Sequence, residues 1–335
     1  MKAVVKYARG VGNVALRDVP EPEAGPGQVK IEVKAAGVCG TDLHILADEY
    51  ANNPPVVLGH ELAGIVAACG AGVSDFAPGD RVTTRTFFQT CGKCVYCRTG
   101  RDNLCASRLS IGSGVNGAMT KYVVVPERAV FRLPENVSFL AGALSEPLSC
   151  TVHAVLETNR PGPGERVVVT GPGAMGLLAM QLVKVSGARA TVVGVPSDAP
   201  RLELAKRLGA DEVVLTTDLD GLRDTFDAAI ECSGAPAGIE TALGLLRKGG
   251  RYTQVGLVGK KVALDVDQLV YKEVELTATF AHVWTAWPRA LALLASGAVQ
   301  TEPLVSHRFP LSRWQEAFTT FRDRTGVKVV LEPED

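Results

Sequence analysis

The sequence contains no stretch of about 18 or more consecutive apolar residues, which is the length that a membrane-spanning helix needs. Its first residues, MKAVVKYARG, also lack the apolar core of a secretory signal. We therefore expect a cytoplasmic protein without a membrane partner.

The sequence also lacks an excess of charge of either sign. It has 35 Lys and Arg against 36 Asp and Glu, a formal net charge of −1. Proteins that bind nucleic acid or anionic membranes carry clusters of basic residues. We therefore exclude a nucleic-acid partner and favour a small-molecule substrate.

Internal repeats and low-complexity segments are absent as well. The hydrophobic fraction of 46% and the charged fraction of 21% are ordinary for a folded α/β protein. A length of 335 residues is enough for two domains, each with its own core.

The pattern of apolar residues changes near residue 146. Up to that point, short runs with period-2 alternation, such as VKIEVKAAG at 29–37, predict a mostly antiparallel β domain. From residue 166, continuous apolar strands alternate with amphipathic helices, which predicts a doubly wound parallel sheet of the Rossmann type. We expect one domain to contain residues 1–146 and 288–335, and the other to contain 147–287. The strands predicted in the second domain are 167–171, 190–195, 212–215, 226–232, 251–257 and 274–280. The helices predicted from residue 166 onward are 174–187, 200–209, 238–250 and 287–297.

A glycine-rich turn follows the first of these strands. Gly171, Gly173 and Gly176 form G-x-G-x-x-G at the start of a helix inside a βαβ unit. The first glycine permits the tight turn, the second lets backbone N–H groups approach a pyrophosphate, and the third allows the helix to pack closely on the sheet. This context predicts a nicotinamide dinucleotide site rather than a plain structural turn.

The next strand bears on the choice between NAD and NADP. An acidic residue about 20 positions after the motif ordinarily accepts the ribose 2′-hydroxyl of NAD. Here the strand ends near Gly194, Asp198 comes a few residues late, and Ser197 and Arg201 stand close by. Because no carboxylate would repel a 2′-phosphate, we expect a slight preference for NADP.

Sheet geometry predicts further coenzyme residues. Ligands of doubly wound sheets lie outside the carboxyl ends of the strands. We therefore expect the nicotinamide to border the backbone after two late strands, at Val255, Gly256 and Leu257 and from Thr279 to Ala281.

Four of the eight cysteines lie in one stretch, CGKCVYCRTGRDNLC at 91–105. Cys91, Cys94, Cys97 and Cys105 have the spacing C-x2-C-x2-C-x7-C, which can close around one tetrahedral zinc ion and leave no position open. A reducing cytoplasm argues against an oxidised loop, and this fold argues against an iron–sulfur cluster. We expect a structural zinc lobe over residues 88–107.

A second metal site is indicated by residues that are scattered along the first domain. Cys39 stands in GVCGTDLH, His60 and Glu61 stand in GHE, and Glu146 stands in SEP. Alone, a cysteine or histidine is more often a core residue than a ligand. Together, these side chains suit a zinc site with an open position.

These motifs resemble the zinc-dependent medium-chain alcohol and polyol dehydrogenases, particularly the branch of sorbitol and threonine dehydrogenases, over essentially the whole chain. The resemblance implies a GroES-like catalytic domain beside the Rossmann domain, an active site in the cleft between them, and a homodimer or homotetramer. The motifs that carry it are GVCGTDLH at 37–44, PPVVLGHELAGIV at 54–66, the four-cysteine stretch, SEPLSCTVHA at 145–154, GPGAMG at 171–176 and PLVSHRFPL at 303–311.

The resemblance also implies the ligands of a catalytic zinc, namely Cys39, His60 and one carboxylate, with water or substrate in the remaining position. A thiolate, a neutral histidine and one carboxylate neutralise Zn²⁺, so we expect one glutamate to bind at a time. Glu61 would be that ligand, with Glu146 reaching the metal through water, or the two would exchange during turnover. Glu146 stands where many ordinary alcohol dehydrogenases have a second cysteine.

The implied reaction is hydride transfer between a secondary alcohol or polyol, or the matching ketone, and C4 of the nicotinamide. Thr41 and His44 resemble a proton relay from the alcohol to solvent, although a helix cap and an exposed helix residue would have the same sequence. Met175 and Arg201 are implied to approach the coenzyme.

One departure from the branch concerns the substrate. Sorbitol-type relatives have an arginine that binds polyol hydroxyls just before the Trp287-Pro288 pair, whereas this chain has His282 near that point. Sorbitol itself is therefore in doubt, and a β-hydroxy amino acid such as threonine is the alternative substrate. A non-catalytic dinucleotide-binding protein and a zinc-free quinone reductase are the alternatives of other kinds, and the complete set of Cys39, His60 and Glu61 argues against both.

Overall fold

The computed structural model describes residues 1–334. It divides the chain into a first unit, which contains Met1–Glu146 and the chain from Thr301 onward, and a second unit, Pro147–Gln300. Within the described residues, no helix combines the length and the apolar character that a bilayer span requires.

The second junction between the units differs from the predicted one, because residues 288–300 belong to the second unit rather than the first. Arg289 Nη1 lies 3.6 Å from Glu157 Oε1. The backbone N–H of Gln300 donates to Gln181 Oε1 at 2.8 Å, and Gln181 Nε2 donates back to the Gln300 carbonyl at 3.1 Å. These polar contacts hold the segment to the second unit.

The first unit consists mainly of antiparallel strands. Its strands are β1 (Lys2–Lys6), β2 (Val14–Asp18), β3 (Gln28–Gly37), β4 (Val56–Val57), β5 (Glu61–Cys69), β6 (Arg81–Thr84), β7 (Phe87–Gln89), β8 (Leu109–Ser110), β9 (Tyr122–Pro126), β10 (Val130–Arg132), β17 (Val305–Pro310) and β18 (Lys328–Glu332). Its helices are α1 (Gly40–Leu46), α2 (Val95–Arg98), α3 (Phe139–Ala143) and α10 (Trp314–Arg322), and α4 (Ser145–Val152) begins at its end.

The large sheet of the first unit has the order β10-β6-β5-β3-β18-β17, and β9 also pairs with β3. A smaller sheet has the order β2-β1-β4. Along β3, Val29, Ile31 and Val33 are buried while the residues between them are partly exposed, which is the period of two that a half-buried strand requires. The predicted mostly antiparallel β domain is confirmed, with β17 and β18 as a parallel pair.

The second unit is a parallel sheet with helices between its strands. After α4 and a π-helix at His153–Asn159 come β11 (Arg166–Thr170), α5 (Ala174–Val185), β12 (Arg189–Gly194), α6 (Ala199–Arg207), β13 (Glu212–Leu215), β14 (Phe226–Glu231), α7 (Pro236–Leu245), β15 (Leu246–Gln254), α8 (Val266–Tyr271), β16 (Glu275–Ala278) and α9 (Ala286–Ala295). The sheet order is β13-β12-β11-β14-β15-β16, and each neighbouring pair is parallel. The predicted doubly wound sheet is confirmed, and its order reverses between β11 and β14.

One predicted helix is too long at its C-terminal end. The prediction continued the helix from 238 to 250, but α7 ends at Leu245 and the residues LRKGG begin β15. Leu246 pairs with Phe226 before the register shifts, and Gly249 has φ of +66°. Pairing with β14 therefore decides the conformation of a segment whose local pattern is also compatible with a helix.

Candidate active site

Strand pairing brings the scattered metal-binding candidates of the first unit together. Gly37 near the end of β3 pairs with Glu61 at the start of β5, so Cys39 follows one strand where His60 precedes the other. The ligand atoms of Cys39, His60 and Glu61 lie within 4.8 Å of one another. A Cβ at position 37 would lie 2.1 Å from Glu61 Oε2, so a larger residue there would displace this carboxylate.

A buried aspartate supports two of these residues. The Cys39 backbone N–H donates to Asp42 Oδ2 at 2.9 Å, and Asp42 Oδ1 lies 3.9 Å from His60 Nδ1. Asp42 has no exposed surface. It therefore lies on the Nδ1 side of the His60 ring, which leaves Nε2 as the nitrogen for a metal.

Lys328, which the sequence analysis missed, completes the cluster. It begins β18 and is 3% exposed, and its Nζ donates to Glu61 Oε1 at 2.6 Å and also contacts Oε2. Its only sequence signal is a lysine at the start of the apolar run VKVVLEP. The structure thus adds a buried cation to a set of candidate anions.

The charges of this cluster suit a divalent cation. Burial lowers the pKa of His60, but the charges of Cys39 and Asp42 outweigh burial and leave the pKa well above its usual value. Burial likewise disfavours the charged form of Lys328, yet Glu61 and Cys39 raise its pKa. Together, Zn²⁺ and Lys328 would offset most of the negative charge that Cys39, Asp42, Glu61 and Glu146 bring to this cluster.

Glu146 is buried near the start of α4, and its charge contributes to the raised pKa of His60. Among the described residues, the group with ligand atoms within 4.8 Å comprises Cys39, His60 and Glu61, without Glu146. This geometry favours Glu61 as the direct ligand.

The two candidates for a proton relay both lie on α1. Thr41 Oγ1 is 3.8 Å from Cys39 Sγ. His44 lies one helical turn further on, with 41% of its side chain exposed, and its Nδ1 is 2.8 Å from Glu49 Oε2. The helix therefore places one hydroxyl beside a metal-binding candidate and one imidazole in contact with solvent.

The cysteines of the predicted lobe form a second group of possible ligands around α2, with their Sγ atoms within 4.8 Å of one another. Backbone N–H groups of Cys94 and Cys97 donate to the sulfurs of Cys91 and Cys94 at 3.4 and 3.5 Å, and that of Cys91 donates to Cys105 Sγ at 3.4 Å. Sulfur atoms surrounded by backbone donors favour thiolates, the form that binds zinc.

The pKa values in the lobe differ between neighbouring thiols. Backbone N–H groups of Lys93 and Cys94 lower the pKa of Cys91 to about 6, whereas desolvation and the neighbouring Cys94 raise that of Cys97 to about 11. The sulfurs of Cys91 and Cys97 are 3.9 Å apart. Four thiolates this close repel one another, and a bound cation removes that repulsion.

The glycine turn of the second unit is shaped to hold a phosphate. Gly171 has φ of +87°, and a Cβ there would lie 2.6 Å from Ser233 Cα. A Cβ on Gly176 would lie 2.0 Å from the Gly171 carbonyl oxygen. Gly173, which caps α5, faces open space instead. The fold therefore requires Gly171 and Gly176, and Gly173 leaves room for a pyrophosphate at the helix N-terminus.

The residues predicted to determine the preference between NAD and NADP lie at and just after the end of β12. Gly194 is buried, and Ser197 is exposed. Asp198 Oδ2 accepts the Val195 N–H at 3.2 Å, and its Oδ1 is 3.3 Å from Arg201 Nη1. The carboxylate of Asp198 is thus tied to its own turn and to an arginine.

The remaining coenzyme candidates follow β15 and β16. The N–H groups of Val255 and Gly256 both donate to the Glu231 carbonyl at 2.9 Å, and Leu257 is exposed. The Thr279 N–H donates to the Gln254 carbonyl at 3.1 Å. Two further candidates, Met175 and Ala281, are partly exposed. Met175 lies in the first turn of α5, and Ala281 has a left-handed backbone with φ of +54°.

His282, which stands near the position of the expected arginine, is fully buried. Its ring meets Trp287 edge to face, with centroids 5.3 Å apart. The side chain packs in the second unit.

Family models match most of the chain. The model for the alcohol dehydrogenase GroES-like domain matches residues 25–135, and the model for zinc-binding dehydrogenases matches residues 174–296. The chain belongs to the zinc-dependent medium-chain dehydrogenase family. It is an oxidoreductase that transfers hydride between an alcohol and a nicotinamide coenzyme, and the predicted family and activity are confirmed.

Individual relatives of this dehydrogenase agree with that assignment. It is 38% identical to a sorbitol dehydrogenase of Halalkalibacterium halodurans, over the full length of both chains. It is also 38% identical to a D-arabitol-phosphate dehydrogenase of Enterococcus avium, over 100% of this chain and 99% of the relative. The crystal structure of a zinc-binding dehydrogenase from Sinorhizobium meliloti, bound to NADP, covers 99% of both chains with a TM-score of 0.91 and 32% identity.

Alanine substitutions in the glycine turn separate coenzyme binding from folding. Gly173→Ala in the dehydrogenase places a methyl group in open space, so we expect unchanged thermal stability and at least about tenfold weaker coenzyme binding. Gly176→Ala forces a methyl group against the Gly171 carbonyl, so we expect a loss of about 1–3 kcal/mol of stability. Thermal unfolding and NADPH fluorescence titration measure both effects. Unweakened coenzyme binding by Gly173→Ala would contradict the assignment of this turn.

Removing the buried cation of the metal cluster tests its charge balance. Lys328→Met leaves the Glu61 carboxylate buried without a cation, so we expect about 3–5 kcal/mol of destabilisation in the metal-free dehydrogenase. Added zinc should recover part of that loss, because the metal attracts the same carboxylate.

Lys2→Met is the matched control, since the Lys2–Asp18 ion pair is 2.7 Å long but exposed and should contribute less than about 1 kcal/mol. Urea unfolding with and without zinc measures both variants. Equal effects of the two substitutions would contradict the role given to Lys328.

Proposed function

We propose that this dehydrogenase oxidises a secondary alcohol or polyol, or reduces the matching ketone, at a zinc ion held by Cys39, His60 and Glu61. The observation that carries the proposal is the buried cluster in which a sulfur, a nitrogen and an oxygen donor lie within 4.8 Å. Three protein ligands of these types leave a fourth position for substrate. When bound, zinc supplies Lewis acidity that lowers the pKa of an alcohol, and the nicotinamide accepts hydride.

The chain's own residues handle the proton. The Thr41 hydroxyl receives it near Cys39, and the His44 imidazole, whose Nδ1 is hydrogen-bonded to Glu49 Oε2, passes it to solvent. The position of Thr41 and His44 one turn apart on α1, together with the exposure of His44, supports these roles.

Glu61 is the direct zinc ligand, and Glu146 reaches the metal through water or exchanges with it. The geometry of the three-residue cluster supports the first part. The buried Lys328 supports the second, because it offers Glu61 an alternative partner without leaving the carboxylate unpaired. A glutamate can therefore leave the metal while its charge stays compensated.

The cysteine lobe holds a second, structural zinc. Cys91, Cys94, Cys97 and Cys105 supply four sulfur atoms, which leave no position for substrate. Every cysteine in the described residues is a free thiol. Thiolates bind zinc only while reduced, so we place the enzyme in a reducing compartment such as the cytoplasm.

NADP is the preferred coenzyme. β12 ends at Gly194, so no carboxylate stands at the position where an acidic residue ordinarily binds the ribose 2′-hydroxyl of NAD. The nearby carboxylate of Asp198 contacts the Val195 N–H and Arg201. Ser197 is exposed and able to donate a hydrogen bond to a 2′-phosphate.

A polyol is the best-supported class of substrate. The names of the two relatives, sorbitol and D-arabitol-phosphate dehydrogenase, both refer to polyols. The buried His282 in place of an arginine argues against sorbitol itself. Threonine remains the alternative substrate.

Matched cysteine variants test the two metal sites and the reaction together. We expect about two zinc ions per purified chain, with one lost in Cys39→Ser and one in Cys97→Ser. Cys39→Ser should lower kcat by at least about a thousandfold because the Lewis acid is lost. Cys97→Ser should mainly lower the melting temperature. Metal analysis, thermal unfolding and turnover are measured on the same preparations.

Polyols, polyol phosphates, 2,3-diols and threonine are screened with NAD and NADP in the same experiment. A zinc content near one per chain would contradict the two-site proposal. A much larger kcat/KM with NAD would reverse the coenzyme assignment, and turnover of threonine alone would replace the polyol.

We also propose a homo-oligomer, a dimer or tetramer that pairs through the second unit. β16 is one of the two outer strands in the sheet order, and Leu276 on it is 47% exposed. Val266, Val270 and Tyr271 on the preceding helix α8 are 59%, 65% and 75% exposed. An outer strand offers unpaired backbone groups, and exposed apolar residues on the same unit fit a second copy of this chain.

A charge placed on this surface tests the oligomer. Leu276→Lys should shift the protein toward monomers in sedimentation velocity, because a lysine would be buried against its own copy. Leu257→Lys, at an exposed leucine outside α8 and β16, is the control and should leave the oligomer intact. A wild-type monomer at micromolar concentration would contradict the proposal.

A further inference from the structure

Glu231, the last residue of β14, is fully buried. Its Oε1 accepts hydrogen bonds from the Ser233 N–H at 2.7 Å and from the Ser233 hydroxyl. Its Oε2 accepts from the Gly234 N–H at 3.1 Å and from Gln254 Nε2 at 2.6 Å. Within residues 1–334 its hydrogen-bond partners are uncharged, so dipoles rather than a cation hold this carboxylate.

Hydrogen-bond donors surround the carboxylate of Glu231. Backbone and amide N–H groups can only donate, and such donors reach both carboxylate oxygens. Burial raises the pKa of the adjacent Cys232 well above its usual value, and the negative charge of Glu231 raises it further. A buried negative charge thus lies at the end of β14.

The end of β14 is beside the coenzyme turn. Strand order reverses between β11 and β14, and dinucleotides cross a doubly wound sheet at such a point. A Cβ on Gly171 would lie 2.6 Å from Ser233 Cα, so the glycine turn packs directly on the residue whose N–H and hydroxyl Glu231 holds. The carboxylate of Glu231 therefore lies one residue contact away from the coenzyme turn.

Glu231 also fixes the segment after β15. Its Oε2 accepts from Gln254, and its backbone carbonyl accepts from Val255 and Gly256. A Cβ on Gly256 would lie 2.3 Å from the Gly234 nitrogen and 2.8 Å from Glu231 Oε2. The turn after β14 and the segment predicted to border the nicotinamide are packed against each other around one carboxylate.

We propose that Glu231 is a positioning residue for the nicotinamide half of the coenzyme. It holds the turn after β14 and the segment 254–256 in the arrangement that receives the ring, and its negative charge favours the oxidised, cationic nicotinamide over the reduced, neutral one. This inference rests on the proposed coenzyme function. In this role Glu231 acts through the backbone of neighbouring residues and does not touch the coenzyme itself.

Binding of coenzyme and of its adenosine half tests the proposal. Glu231→Gln replaces an acceptor with an amide whose N–H₂ faces other donors, so we expect about tenfold weaker binding of the reduced coenzyme and a larger loss for the oxidised form. Binding of adenosine 2′,5′-diphosphate, which lacks the nicotinamide, should stay within about twofold of wild type. Calorimetric titrations of the purified enzyme measure all three ligands.

Two further variants keep the test decisive. Glu231→Asp keeps the charge but shortens the side chain, so it should weaken both redox forms by the same factor. Gln254→Leu removes the bond to Oε2 while leaving Glu231 in place, and it serves as the test if Glu231→Gln does not fold. It should weaken binding of the whole coenzyme and leave binding of adenosine 2′,5′-diphosphate unchanged. Glu240→Gln, an exposed glutamate on α7, is the control and should change nothing.

The outcomes separate this inference from the proposed function. Equal weakening of coenzyme and adenosine half, no weakening of either, or equal losses for the oxidised and reduced forms in Glu231→Gln would overturn the inference. A wild-type enzyme that binds no dinucleotide would instead overturn the proposed function.

Discussion

A buried ion pair between Lys328 and Glu61 connects the last strand of the chain to the middle of its first unit. β5, β3 and β18 are neighbours in one sheet, and the start of β5, the end of β3 and the start of β18 meet at the same place. Cys39, His60 and Glu61 come together because of this pairing. Each charge of the ion pair stabilises the burial of the other, since an isolated ion in an apolar interior is strongly destabilising.

The two units stabilise buried carboxylates in different ways. Glu61 lies against a lysine and among candidate metal ligands, where a change of partner is chemically useful. Glu231 is held by N–H and hydroxyl donors from a turn and a neighbouring strand, an arrangement that is rigid because each donor belongs to fixed backbone or a packed side chain. The first arrangement suits exchange at a metal, and the second suits a fixed surface for a ligand.

Much of the fold and many of the candidate residues were predictable because their signals are local. The spacing of four cysteines, the glycine turn after a strand, and the alternation of strands and helices each depend on residues close in sequence. Where pairing between distant segments decides the structure, the prediction was wrong or silent. In LRKGG after α7, Leu246 pairs with Phe226 of β14, and residues 288–300 belong to the second unit, where Gln300 bonds to Gln181.

The sequence by itself determined the family, the order of the elements and the residue types that could bind metal and coenzyme, because motif spacing and hydrophobic period are properties of the chain. The tertiary structure alone decided which of those residues meet and which charges compensate them. Lys328 is 267 residues away from Glu61 in the chain, and Gln254 is 23 residues from Glu231. No local pattern marks such partners, since the free energy of a buried charge depends on what surrounds it in space.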